Sequence, residues 1–244
     1  MQIITIANQK GGTAKTTTAA AIAQAGAAHG QKVLAVDLDP QGNLSMILKA
    51  DARGKGSYEL LEGEPARRLI QTTAQNIDTI PASRNLATIS TATGSAQRLQ
   101  RALQPVKGIY DLIIIDTPPT AGELQYNALQ ASTGLVIPLQ ADIFGLQGLY
   151  QIADTAHKIQ RSNTGLQILG FVLTRYSNRS TIAKSMQAKI TEQAAARGIA
   201  CLAEIREGVA IREAAALQQS LFDYAPKSKP AQDYMQLYEK IMEG

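Results

Sequence analysis

The 244-residue sequence has few of the residues that build covalent or metal-based frameworks. A single cysteine, Cys201, excludes a disulfide framework, a four-cysteine zinc site and a self-contained iron–sulfur site. The two histidines, His29 and His157, lie too far apart in sequence to suggest a metal-binding pair. Tryptophan is absent and there are only three phenylalanines, so alanine, leucine, isoleucine and valine must fill the core.

Long apolar runs are also missing. No stretch approaches the roughly 18 consecutive apolar residues of a membrane span. The N-terminus, residues 1–6, lacks the basic start and apolar run of a signal peptide. These absences predict a cytoplasmic protein. The hydrophobic content of 45 % is ample for a packed core, and the 18 % of charged residues argues against disorder.

Charge is nearly balanced, with 24 Lys and Arg against 20 Asp and Glu and a net charge of +4. Such a mild excess is common in proteins that bind no nucleic acid. Its distribution is more informative, because the basic residues are concentrated in residues 158–212, where the acidic residues are Glu192, Glu204 and Glu207. The basic residues of this segment are Lys158, Arg161, Arg175, Arg179, Lys184, Lys189, Arg197, Arg206 and Arg212.

Apolar runs alternate with helical patterns along the chain. The predicted strands are residues 3–7, 33–36, 77–80, 112–115, 135–139, 168–173 and 202–205. The predicted helices are residues 15–28, 95–103, 124–131, 146–160, 180–196 and 209–218. Continuous aliphatic strands are typical of parallel sheets covered on both faces. The alternation predicts an α/β fold with one doubly wound, mostly parallel sheet and helices on both faces, in a single domain over residues 1–244. Residues 51–75 are the least regular and are predicted to leave the sheet.

The final segment, residues 230–244, has apolar side chains at helical spacing. These are Ala231, Tyr234, Leu237, Tyr238 and Ile241. A membrane-binding helix is one interpretation, but acidic residues dominate the polar face and anionic lipid would repel it. The pattern therefore favours a helix that packs on the protein's own core.

The strongest local signal lies between the first predicted strand and the first predicted helix. There the sequence reads Asn8-Gln9-Lys10-Gly11-Gly12-Thr13-Ala14-Lys15-Thr16-Thr17. Small residues let backbone N–H groups converge on phosphate oxygens, and the helix N-terminus adds partial positive charge. Lys15 is placed to reach the β- and γ-phosphates, and the Thr16 hydroxyl to ligate Mg²⁺. The pattern predicts a nucleotide site; a glycine-rich turn with an incidental lysine is the alternative.

This loop departs from the strict pattern G-x-x-x-x-G-K-[ST] at both glycine positions. Gln9 stands at the first and Ala14 at the last. If Ala14 needs a positive φ to aim its N–H at phosphate, the alanine costs about 1–2 kcal/mol. We therefore expect weaker nucleotide affinity or slower turnover than in a relative with glycine, unless the loop relaxes.

Two further predicted strands end in carboxylates. Residues 33–43 read V-L-A-V-D-L-D-P-Q-G-N and supply Asp37 and Asp39. Residues 110–119 read Y-D-L-I-I-I-D-T-P-P and supply Asp116. A phosphate loop and separate carboxylates at neighbouring strand ends suit Mg²⁺-nucleotide chemistry. A helix N-cap or a turn acid is the alternative for Asp37 and Asp39.

Together, K-G-G-x-x-K-T-T, D-L-D-P-Q-G-N and I-I-I-D-T-P-P resemble the deviant Walker A ATPases of the ParA/MinD superfamily, in particular the ParA/Soj-type DNA partition proteins. The resemblance spans nearly the whole chain and continues, in the family's order, through residues 136–140, 170–175, 211–214 and 224–228. It implies a P-loop NTPase fold, ATP and Mg²⁺ as cofactors, and weak hydrolysis of ATP to ADP and phosphate.

The resemblance also implies roles for the matching residues. Lys10 matches a signature lysine that crosses an ATP-sandwich dimer to the partner's nucleotide, and Asp39 matches an acid that helps position the attacking water. These two are the catalytic candidates. Thr16 and Asp116 match the Mg²⁺ site, and Asp37 is a metal-site or structural neighbour. Together with Lys10, the nucleotide-binding residues are Gly11, Gly12, Thr13, Ala14, Lys15, Thr16 and Thr17.

A further implication of the resemblance concerns partners. An ATP-bound homodimer would bind duplex DNA without sequence preference, associated with the nucleoid, and a centromere-binding ParB-like protein would stimulate hydrolysis and release. Such binding needs cations on one face. Arg179 falls on a DNA-linked family position, whereas a second such position falls on Ala210. The candidates are Arg179, Lys184, Lys189, Arg206 and Arg212, and solvated helix-face charge is the alternative for each.

Other functions on the same scaffold are alternatives. A MinD-like ATPase would position a membrane or protein cargo, although the acidic final segment argues against membrane binding. A nitrogenase-reductase-like role needs two cluster cysteines per subunit, which the single Cys201 cannot supply. An amidoligase-like synthetase would use the fold without Lys10 acting in trans, and a protein that stays monomeric with ATP would favour it.

Overall fold

The computed structural model describes residues 1–89, 95–176 and 181–243. Within these ranges one eight-stranded sheet has the order β3-β4-β2-β5-β1-β6-β7-β8. Neighbouring strands are parallel except for β3, which runs antiparallel to β4. The strands are β1 Gln2–Ile6, β2 Val33–Asp37, β3 Gln71–Thr72, β4 Asp78–Ile80, β5 Leu112–Asp116, β6 Gly134–Leu139, β7 Gln167–Tyr176 and β8 Cys201–Arg206.

Helices connect the successive strands, except β3 and β4, and three more follow the last strand. In the described residues these are α1 Lys15–Ala28, α2 Asn43–Ile47, α3 Ser57–Leu61, α4 Arg98–Ala102, α5 Glu123–Ala131, α6 Ile143–Gln160, α7 Thr181–Ala195, α8 Val209–Ala216, α9 Leu221–Tyr224 and α10 Lys229–Glu243. No helix among the described residues is both long enough and apolar enough to cross a membrane.

Helices cover both faces of the sheet. Successive residues of a strand point to opposite faces, so neighbouring side chains pack against different helices. In β5, Ile114 packs in the cluster that contains α1 and α10, while its neighbours Ile113 and Ile115 pack with α3, α4 and α5. On the same side as α5, residues of β6 and β7 pack against α6 and α7. The predicted doubly wound, mostly parallel sheet is confirmed.

The edge of the sheet differs from the prediction. Residues 51–75 were expected to lie outside it, but β3 pairs Gln71 with Thr79. The turn between β3 and β4 places Asn76 at φ 56°, a left-handed conformation that asparagine tolerates. The predicted helix over residues 95–103 is also divided, into a 3₁₀ turn at Ser95–Gln97 followed by α4.

The last helix, α10, packs on the protein's own core, as the polarity of its faces predicted. Ala231, Tyr234, Leu237, Tyr238 and Ile241 are all buried there. They join the cluster that contains α1 and β8. The apolar side of α10 is therefore satisfied within the chain.

The carboxyl ends of the central strands bring the sequence motifs together. Asp37, the last residue of β2, lies opposite Asp116, the last residue of β5. On the other side of β5, Ile6 at the end of β1 also lies opposite Asp116. Because the loop after β1 leads into α1, residues 8–17 begin beside both carboxylates.

Candidate functional site: a nucleotide cavity

A cavity of about 500 Å³ opens at the carboxyl ends of these strands. Its floor is the loop and first turn of α1, residues 11–17. Asp39 and Pro119, just beyond the ends of the adjacent strands β2 and β5, line it together with Thr174 near the end of β7. The rest of the lining comes from the segment around α2 and from elements after β6. These residues are Gln41, Asn43, Met46 and Ile47, and Arg175, Ile205, Arg206, Glu207, Gly208, Ile211, Arg212, Ala215 and Tyr234. The volume falls in the range of small-molecule sites.

The loop carbonyls are held by hydrogen bonds. Lys15 Nζ donates to the Lys10 carbonyl at 3.1 Å, Gln140 Nε2 to Gly12 at 2.9 Å, and Thr174 Oγ1 to Thr13 at 3.2 Å. By contrast, the backbone N–H groups of residues 14–17 donate to no described residue. Unpaired N–H groups at a helix N-terminus favour an anion such as phosphate.

Left-handed backbone conformations border the cavity at two non-glycine residues. Ala14 has φ 64°, as the sequence predicted for this position, and Arg175 at the end of β7 has φ 53°. Each costs an L-residue about 1–2 kcal/mol. Gly12 adopts φ 74° within the loop without that cost.

Lys15 is 6 % exposed and lies under the loop. Burial lowers the pKa of its ammonium group, and the negative charges of Asp116 and Asp39 oppose this shift. A buried cation between carboxylates and a phosphate site is poised to contact phosphate oxygens.

Asp37 is fully buried and its oxygens are taken by neighbours. Oδ2 accepts the Ser45 N–H at 2.8 Å and the Ser45 hydroxyl at 2.7 Å, and Oδ1 accepts the Asp39 N–H at 3.1 Å. Burial raises the pKa of Asp37 to about 6, and the hydrogen bonds from Ser45 partly offset this. These contacts favour the structural alternative, since they join the end of β2 to α2.

Asp116 is equally buried, but its two carboxylate oxygens differ in their hydrogen bonds. Oδ1 accepts the Thr117 N–H at 3.0 Å, whereas Oδ2 has no hydrogen-bonding partner among the described residues. Burial and the charge of Asp37 raise the pKa of Asp116, and the Thr16 hydroxyl and Lys15 act in the opposite direction. An unpaired buried carboxylate oxygen beside a hydroxyl suits Mg²⁺, which takes one or two protein oxygens together with phosphates and water.

Asp39 combines the two roles that the sequence left open. It lines the cavity, and its Oδ1 accepts the Gln41 N–H at 3.0 Å, as a turn acid does. The side chain is thereby fixed at the cavity wall.

Lys10 points away from the cavity of its own chain. Its Nζ contacts Asp142 Oδ2 at 2.6 Å and lies 5.4 Å from the centroid of the Phe144 ring. Asp142 Oδ1 meanwhile accepts the Gly145 N–H at 2.7 Å and caps α6. The predicted nucleotide-binding lysine is therefore paired within the chain and half-exposed, while the loop that follows it lines the cavity.

The predicted DNA-binding residues fall on separate elements. Lys184 and Lys189 are exposed on α7. Arg206 and Arg212 line the nucleotide cavity instead, and the guanidinium of Arg206 is bound by Asp233. Arg179 lies outside the described residues.

The sequence analysis missed the side of the cavity away from the phosphate loop. Ile211, Met46 and Tyr234 line it, yet they belong to three helices far apart in sequence. Ile211 and Tyr234 fell in segments with a helical pattern, whereas no helix was predicted around Met46. No local pattern distinguishes such residues from ordinary core positions.

Comparison with known proteins identifies the family. A model of the AAA domain family matches residues 1–168. The chromosome-partitioning ATPase Soj of Thermus thermophilus is 36 % identical over 242 residues, which cover 98 % of this chain and 94 % of that protein. The sporulation initiation inhibitor protein Soj of Bacillus subtilis is 36 % identical over 250 residues, covering 98 % of each. The chain belongs to the ParA/MinD family of ATPases.

Solved structures of similar fold extend the ParA/MinD assignment. The septum site-determining protein MinD of Pyrococcus horikoshii, complexed with Mg-ADP, superposes with a TM-score of 0.81 at 28 % identity, covering 98 % of this chain and 95 % of that one. Cobyrinic acid a,c-diamide synthase of Mycobacterium smegmatis, with a bound ATP analogue and magnesium, gives 0.82 at 29 % identity, covering 100 % and 95 %. Both agree with ATP and Mg²⁺ as the cofactors of this ParA/MinD-family cavity.

Proposed function

We propose that the chain is an ATP-dependent DNA partition protein, a weak Mg²⁺-dependent ATPase whose ATP-bound sandwich dimer binds duplex DNA without sequence preference. A centromere-binding ParB-like protein would stimulate hydrolysis and release the dimer. The observation that carries this proposal is the combination of a complete phosphate cavity with a signature lysine that lies outside it. Identity to Soj relatives over nearly the whole chain supports the same function.

In the proposed hydrolysis, the chain's own groups bind phosphate and orient water. The N–H groups of residues 11–17 and the Lys15 ammonium hold the β- and γ-phosphates. Thr16 and Asp116 would hold Mg²⁺, which would neutralise developing phosphate charge. Asp39, fixed by its turn hydrogen bond to Gln41, orients the attacking water. Asp37 holds α2 against the end of β2 through Ser45.

In the proposed dimer, Lys10 acts on the partner's nucleotide. Its ammonium faces Asp142 rather than the cavity of its own chain, and the pair is only partly buried. Mixing two inactive variants, Lys10→Ala and Lys15→Ala, tests this role. A heterodimer then contains one site with an intact Lys15 and a trans Lys10, so the mixture regains part of the hydrolysis. If Lys10 acts within its own chain, the mixture stays as inactive as the separate variants.

DNA contacts are assigned first to Lys184 and Lys189, because both are exposed cations on one helix. Arg179, outside the described residues, stays a candidate on the family resemblance alone, and Arg212 is a weaker candidate because it lines the nucleotide cavity. Arg206 contributes least, since Asp233 already neutralises it.

The proposed functional domain spans residues 1–244. One continuous sheet and the packing of α10 against α1 and β8 support a single domain. It would work in the cytoplasm on the nucleoid.

Fluorescence anisotropy of a labelled random duplex tests the proposal. At about 100 mM salt, where electrostatic binding is still visible, binding should appear only with ATP and Mg²⁺. The double variant Lys184→Gln, Lys189→Gln should weaken binding and lower the salt dependence by about two counterions. Asp51→Asn, in an exposed ion pair with Arg53, is the matched control. ATP binding without any DNA binding would contradict the proposal and favour a membrane or protein cargo.

A further inference from the structure

The wall of the cavity formed by residues 206–208 is seated on the first turns of α10. Arg206, Glu207 and Gly208 follow β8 and line the cavity away from the phosphate loop. Tyr234 of α10 lines the same cavity, and its hydroxyl lies 3.4 Å from the Thr18 hydroxyl of α1. The helix thus contacts both the cavity wall and the helix that carries the phosphate loop.

An ion pair joins this wall to α10. Asp233 is 7 % exposed, and its Oδ2 accepts the Arg206 N–H and the Arg206 Nε–H, both at 2.9 Å. The terminal guanidinium nitrogen donates to Oδ1, and also to the Lys229 carbonyl at 3.4 Å. Because one carboxylate binds both the backbone and the side chain of Arg206, it fixes the direction of the chain at the end of β8.

Close packing forms a second connection. A Cβ added to Gly208 would lie 2.6 Å from Pro230 Cγ, closer than any real contact. Gly208 has an extended backbone with φ −160°, so space and not conformation requires glycine here. Residues 206–208 therefore rest against α10 at two points that are independent of each other.

We propose that the docking of α10 is coupled to occupation of the base end of the cavity, with Asp233 as the positioning residue that holds residues 206–208 against the nucleobase. A nucleotide with its phosphates on the loop has its base beyond them, in the part of the cavity where this wall stands. The Arg206 side chain is already bound to Asp233 and Gly208 has none, so at these two positions the backbone is what the segment offers to the base. Coupling is reciprocal: α10 strengthens base binding, and base binding strengthens the docking of α10.

The test separates the base from the phosphates by comparing ATP with inorganic triphosphate, each with Mg²⁺. In Asp233→Asn the affinity for ATP should fall about tenfold, while triphosphate binding stays within about twofold. Asp51→Asn, the same change in the exposed pair with Arg53, should alter neither. Calorimetric titration measures both affinities. A loss shared equally by ATP and triphosphate, or no loss in the folded variant, overturns the proposal.

A second readout follows α10 itself. Hydrogen exchange at residues 229–243 should slow when the native protein binds ATP and change less with triphosphate; in Asp233→Asn that difference should disappear. Gly208→Ala provides an independent variant, because it disturbs the contact with Pro230 and leaves the ion pair between Arg206 and Asp233 intact. It therefore tests the coupling even if Asp233→Asn fails to fold. It too should lower the ATP-to-triphosphate affinity ratio. Equal protection of α10 by both ligands contradicts the coupling.

Discussion

The two ends of the nucleotide cavity are built in different ways. The phosphate end comes from one continuous segment, residues 11–17, supported by carboxylates at two strand ends. The other end is assembled from α2, the end of β7, the β8–α8 connection and α10. A short sequence motif therefore encodes the phosphate end, whereas the other end depends on how helices distant in sequence pack together.

The ends also differ in what they leave unsatisfied. At the phosphate end, the N–H groups of residues 14–17 and Asp116 Oδ2 have no partners in the described chain, and Lys15 is buried. At the base end, Arg206 is already bound by Asp233. Unsatisfied buried groups gain most from a ligand. We infer that the phosphate end supplies most of the affinity and the base end supplies selectivity.

The largest effect is expected for Lys15→Ala. In the proposed complex the ammonium would make charge-assisted contacts with two phosphates, so its removal should weaken ATP binding by at least about 100-fold. Inorganic triphosphate should lose the same factor, in contrast to the base-end variants. Calorimetric titration measures both. A fall of less than about threefold in either would break the comparison between the two ends.

Asp116→Asn should separate catalysis from folding. Hydrolysis should fall about 100-fold, and Mg²⁺ should no longer strengthen ATP binding. Because burial raises the pKa of Asp116, keeping this carboxyl ionised in the folded chain costs free energy, and the amide should raise the melting temperature by a few degrees. Turnover assays and thermal melts check both parts. Unchanged hydrolysis would remove Asp116 from the proposed metal site.

Ala14→Gly probes the strained residue of the loop. The left-handed strain is about 1–2 kcal/mol, and the extra freedom of glycine in the unfolded chain offsets about 0.4–1 kcal/mol of its relief. Since the folded loop holds Ala14 at φ 64°, we expect the gain mainly in unfolding free energy, with the ATP affinity changed less than about threefold. Chemical denaturation and titration distinguish the outcomes. A fivefold gain in affinity with unchanged stability would mean that strain arises on binding, as the sequence alone suggests.

Asp142→Asn should have the smallest effect. Asparagine caps helices as well as aspartate, so α6 keeps its N-cap while Lys10 loses its charged partner. A partly exposed pair contributes little, and ATP-dependent dimerisation should strengthen only about twofold. Sedimentation velocity over a protein concentration series measures this. Weaker dimerisation would mean that Asp142 has a direct role in the dimer.

The phosphate end was predictable because its chemistry is local. Strand, loop and helix are adjacent in sequence, and α1 has the bounds 15–28 that its apolar pattern predicted. Asp37 and Asp116 show what a local sequence pattern does not predict, namely the hydrogen-bonding partners of each carboxylate. Both end a buried strand, yet only the fold reveals that Ser45 of α2 binds Asp37, whereas Oδ2 of Asp116 has no partner among the described residues.

The base end was not predictable, because its contacts join residues far apart in sequence. Asp233 reads as a polar residue on an amphipathic helix, and Arg206 reads as one more cation of a basic segment. Their ion pair exists only because α10 packs beside β8. The two-residue strand β3 was missed for a related reason, since its pairing partner rather than its own composition makes it a strand.

Sedimentation velocity of the protein together with a labelled random duplex tests the central claim, that ATP assembles a DNA-binding dimer. One sample contains ATP and Mg²⁺, and the matched sample contains inorganic triphosphate and Mg²⁺. The account predicts that the duplex sediments with protein dimers only in the ATP sample. A protein that remains monomeric when saturated with ATP, or a duplex that sediments with the protein equally in both samples, would contradict it.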